Sequence, residues 1–108
     1  MEHFYKEEAL EQLLSDVANL MEDLYQSGFD TVHDSTLEAL KNMTKHTASY
    51  GMELLTQLLS QLTDGLTMRR HQMTKQEDNL AGVYTQINRY ISFGREKIES
   101  DKGSSYYL

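Results

Sequence analysis

The sequence predicts an all-α protein: an antiparallel helical bundle of three long helices, or four if the second helix breaks near Gly51. Three observations lead there. The 108 residues include no Pro, a residue common in turns and strand edges and excluded from helix interiors by about 3 kcal/mol. Fifteen leucines stand against three valines and three isoleucines, so the branched residues that favour strands are scarce. Finally, the apolar residues recur every three or four positions, the period of one helix face.

The first helix is predicted from about His3 to Gln26. Leu10, Leu13, Val17, Leu20 and Leu24 form its stripe, widened by Leu14, Met21 and Tyr25. Such a width suits a bundle helix buried against two neighbours. Its acids fall mostly on the other faces, and Ser27-Gly28 supplies the stop, Gly being preferred just past a helix C-terminus.

The second helix is expected to start within Asp30–Thr36, where Ser35-Thr36-Leu37-Glu38 matches the Ser-x-x-Glu capping box. Its apolar positions run from Leu37, Leu40 and Met43 through Tyr50, Leu54, Leu55, Leu58, Leu59 and Leu62 to Leu66. Thr44, Lys45, His46, Thr47, Ala48, Ser49 and Gly51 offer small or polar side chains where large apolar ones are expected. With no Pro and no strong turn dipeptide, the reading favours one long helix with a bend, and a break at Gly51 is the alternative. The last helix is expected from about Lys75 to Ser100, opened by a second capping pattern, Thr74-Lys75-Gln76-Glu77, and ended by Asp101–Ser105. Residues 1–102 thus read as one domain and 103–108 as a short flexible tail.

Helices of about 24, 40 and 26 residues would measure roughly 36, 60 and 39 Å. A middle helix that outreaches its neighbours leaves apolar residues uncovered, so either it breaks or a second copy covers the overhang. The second apolar stripe of that helix, Leu55, Leu59, Leu62 and Leu66, is the predicted self-association interface.

Charge divides the chain. Residues 1–40 hold ten acids and one base, Lys6, for a net of -9, whereas residues 41–108 hold nine bases and seven acids, for a net of +2. The total of -7 argues against nonspecific nucleic-acid binding. The acidic first helix is either a solvated face or a surface for a basic partner, such as the C-terminal part of another copy. Arg69, Arg70, His71 and Lys75 form the one basic cluster. Arg69, Arg70 and Lys75 are therefore the candidate phosphate-contacting patch, although cations also suit the negative end of a helix dipole.

Chemical motifs are sparse. There is no Cys, no Gly-rich phosphate loop, no His-x-x-x-His and no Glu-x-x-His, so catalysis, a cofactor and a metal site are not expected. Thr44, His46, Thr47 and Tyr50, in the polar middle of helix 2, are the candidate lining of a small ligand pocket. Tyr84, Tyr90 and Phe93 near one helix end, with Phe4, Tyr5 and Tyr25 near another, read as core-edge residues, some of them interface anchors. No apolar run approaches the roughly 20 residues of a membrane span, and the N-terminus lacks the basic-then-apolar order of a secretory signal. The expected protein is a small, acidic, cytoplasmic, non-enzymatic interaction module. It is expected to pair with a protein partner or with itself, as a homodimer first of all. A ligand-binding bundle and a nucleic-acid-associated regulator are the alternatives.

Overall fold

The computed structural model describes residues 2–71 and 79–106, with side-chain surroundings for 8–71 and 79–100. Four helices follow one another: α1 (Glu2–Ser27), α2 (Asp34–Ser49), α3 (Glu53–His71) and α4 (Leu80–Tyr106). Each packs on its neighbours in chain order, and α4 closes the ring on α1. The diagonal pairs, α1 with α3 and α2 with α4, do not come together among the described residues. This is an antiparallel four-helix bundle.

The long second helix expected from sequence is two helices, and Gly51 divides them. Its φ of +73° lies in the left-handed region that only Gly enters without strain. The Met52 amide donates to the Thr47 carbonyl (3.1 Å) and the Gly51 amide to the Ala48 carbonyl (3.0 Å). That bond pair is the Schellman motif, which satisfies carbonyls that would otherwise be orphaned at the end of α2. α3 then folds back on α2. The turn is locked by the buried Thr47, whose hydroxyl lies 2.8 Å from that of Thr56 on α3.

Other helix ends differ in detail. Gly28, with φ +80°, donates to the Leu24 carbonyl at 2.8 Å and stops α1 where the sequence predicts. The expected capping box at Ser35 does not form, because α2 begins at Asp34 with His33 as N-cap and no side-chain cap bond. The His33 carbonyl accepts from Thr36 and Leu37 instead, both at 3.1 Å. The Thr74–Glu77 pattern lies outside the described residues. α4 runs through Tyr106, past the Asp101–Ser105 stretch expected to end it.

The core is built from Leu14, Val17, Met21 and Leu24 of α1, Leu37 and Leu40 of α2, Leu55, Leu58, Leu59, Leu62 and Leu66 of α3, and Leu80, Val83, Ile87 and Ile91 of α4. Two glycines inside helices mark close approaches. A Cβ on Gly65 would stand 2.2 Å from Cδ2 of Leu80 on α4, and one on Gly94 would stand 3.1 Å from Cδ1 of Leu14 on α1. Gly65 therefore serves within α3 as a packing residue.

α1 and α4, of 26 and 27 residues, outlast α2 and α3, of 16 and 19. The α2–α3 turn reaches only to Leu10, Leu14, Gly94 and Ile98, which share a small cleft with Met52. Among the described residues, the two outer helices continue alone past that level for about 12 Å. The mismatch expected from sequence is thus reversed, and the outer pair overhangs.

Candidate interaction groove

Between α1 and α2 runs an open trough of about 360 Å³. Its floor is Leu20, Ala39 and Met43, and its rim carries Asp16, Asn19, Asp23, Asn42 and His46. The cause is local. Leu20 and Met43 lie at the margins of their apolar stripes and are half-buried against the core. Ala39, one turn before Met43, is too small to fill the space opposite α1. Asp16 and Asp23 stand about one turn to either side of Leu20, so the floor is bracketed by carboxylates. Asp16 accepts a hydrogen bond from Gln12 along its own helix at 2.9 Å. An apolar floor inside a polar, solvated rim is the anatomy of a protein-recognition patch.

The residues singled out from sequence fall elsewhere. Leu55, Leu59 and Leu62 are 0% exposed and Leu66 2%, all inside the single chain. Because α3 folds back at Gly51, the rest of the same chain covers their stripe, and they offer no outer surface to a second copy. Thr44, His46, Thr47 and Tyr50 have separate surroundings. Thr44 donates to the Leu40 carbonyl (2.8 Å) and Thr47 is tied to Thr56, while Tyr50 is exposed and His46 turns to the α1–α2 trough.

The basic cluster is engaged within the chain. Arg69 reaches Asp30 at 3.4 Å and lies 5.6 Å over the ring of Phe29, and Arg70 pairs with Asp34. Phe29 meets Tyr84 edge to face at 5.6 Å, and the Tyr84 hydroxyl donates to the Met21 carbonyl at 3.0 Å. These contacts pin the α1–α2 loop to the end of α3 and to α4. Part of the charge division therefore serves the fold. Lys75 lies outside the described residues.

Two features escaped the sequence reading. The trough depends on which helix sits beside α1, and that was open while the middle helix could be continuous. The second feature is the exposure of Phe93 (71%) and Tyr25 (75%), both counted among the core-edge aromatics. Spacing carried a signal at Phe93, since Arg89 and Lys97 lie four residues to either side of it. Among the described residues, no group of three or more His, Asp or Glu side chains could hold a metal ion. No described helix is long and apolar enough to cross a membrane. No protein family, curated protein or solved structure matches the chain.

Proposed function

We propose that this chain is a small acidic cytoplasmic protein that works without catalysis, as a protein–protein interaction module that associates with itself. The observation that carries the reading is the α1–α2 trough, with apolar side chains at its floor and carboxylates at its rim, open along its length. An extended helix face with one apolar stripe and basic flanks suits such a surface. Exposed Leu54, Met68 and Phe93 on the other helices add apolar surface for partners, although single exposed apolar residues are ordinary.

Plugging the trough tests the reading. Ala39→Arg places a long side chain across the floor, removes no core contact and keeps a good helix former. Light scattering after size exclusion is expected to show association in the wild type and its loss in Ala39→Arg, with unchanged thermal unfolding. Equal association in both proteins would mean that the trough is not the contact surface.

A further inference from the structure

We infer that the protein associates head to tail, with the Arg89–Phe93–Lys97 stripe of α4 seated in the α1–α2 trough of a second copy. The inference rests on the self-association proposed above and names its two surfaces.

The stripe is built by helical spacing. Arg89, Phe93 and Lys97 stand at i, i+4 and i+8, so one face of α4 carries a cation–ring–cation row, with the exposed acid Glu96 beside it between Phe93 and Lys97. Phe93 is 71% exposed, and both flanking cations are exposed. Among the described residues neither cation makes an ion pair. Leu54, 56% exposed on α3, lies near the same level. Gly65 faces Leu80, and eleven residues back along α3 and forward along α4 reach Leu54 and Ile91.

The trough mirrors this pattern with opposite charge. Asp16 and Asp23 are seven residues apart, about 10.5 Å along α1, and Arg89 and Lys97 are eight apart, about 12 Å. Leu20 lies between the acids as Phe93 lies between the bases, with Met43 and Ala39 beside it. A ring set on the Leu20–Met43 floor brings each cation to one carboxylate. His46 lines the Asp16 end.

The two surfaces cannot meet within one chain. Arg95 of α4 reaches Ser15 of α1 at 3.1 Å, and Phe93, two residues earlier, points about 200° away round the helix. Arg89 and Phe93 thus turn from α1 toward the outer α3–α4 side, Lys97 stands at the mouth of the cleft that Leu10, Leu14 and Met52 line, and the trough opens on the opposite side of the ring. Complementary patches on opposite sides make a heterologous contact, which a two-fold dimer cannot close. Addition of copies therefore continues past two as concentration rises, into an open chain or a larger closed ring.

Two charge-reversed proteins test this: Asp16→Lys with Asp23→Lys, and Arg89→Glu with Lys97→Glu. In light scattering at low ionic strength, the wild-type mass is expected to climb steadily with concentration and to fall back in about 1 M salt, where the Debye length is about 3 Å. Each reversed protein alone sets like charges together and is expected to lose about 100-fold or more in association. An equimolar mixture of the two restores opposite charges at every contact and is expected to regain wild-type assembly, which misfolded variants could not do. Reversed proteins that assemble like the wild type, or a mixture that stays dissociated, would overturn the surface pairing and leave self-association standing. A wild-type mass that levels off at two copies would overturn the head-to-tail geometry. A wild type that stays a single chain throughout would remove self-association itself.

Discussion

Replacing Gly51 with Ala discriminates a broken helix from a continuous one by the sign of the effect. At φ +73° an L-residue is strained by about 1–2 kcal/mol relative to the right-handed region. A Cβ there meets nothing within 4 Å, so no steric clash adds to that cost. Gly51→Ala should therefore destabilise by about 1–2 kcal/mol. If residues 34–71 formed one helix, the same change would stabilise by up to about 1 kcal/mol, the difference in helix propensity. The two arrangements thus differ by about 2–3 kcal/mol at one site. Urea unfolding followed by helical circular dichroism resolves this easily, and in a thermal melt each kcal/mol shifts the midpoint by about 4–8 °C for a domain near this size. Gly51→Asn should cost less than Ala, since Asn tolerates the left-handed region. A stabilised Gly51→Ala protein would refute the break and, with it, the folding of α3 against α2.

Further outcomes follow from the packing. Gly65→Ala should destabilise by about 1 kcal/mol net, because displacing the buried Leu80 outweighs the gain in helix propensity, while Gly94→Ala should be near neutral against the single 3.1 Å contact with Leu14; urea midpoints measure both. Leu59→Ala removes a fully buried side chain and should cost about 2–5 kcal/mol, and Leu59→Lys with Leu62→Lys should unfold the chain rather than merely dissociate it, as loss of the far-ultraviolet helix signal would report. Tyr84→Phe keeps the edge contact with Phe29 and loses the bond to the Met21 carbonyl, for a loss of about 0.5–1.5 kcal/mol in the same assay.

Much of the bundle was legible because its signals are local. The 3-and-4 spacing from Leu10 to Leu24 needs only one helix to be read, and Gly28 ends that helix as its position suggests. Gly51 was harder. A lone Gly in a helical pattern signals either a tolerated weakness or a left-handed cap, and the choice depends on whether Thr47 can reach Thr56 across a turn not yet formed. The leucines of α3 show the same limit. Their apolar stripe was plain, but whether this chain or another copy covers it depended on the break. Arg69 and Arg70 read as a cluster, while their partners Asp30 and Asp34 lie more than thirty residues away along the chain. The trough was least visible, because it is a gap between neighbours, made by the small size of Ala39 and the offset of Leu20 and Met43.

Self-association through complementary surfaces is read from the solution mass of the unmodified chain across a wide concentration range at low ionic strength. The mass is expected to rise above the 12.5 kDa of one chain and to pass two copies as protein is added. A mass that holds at 12.5 kDa at every concentration would contradict it.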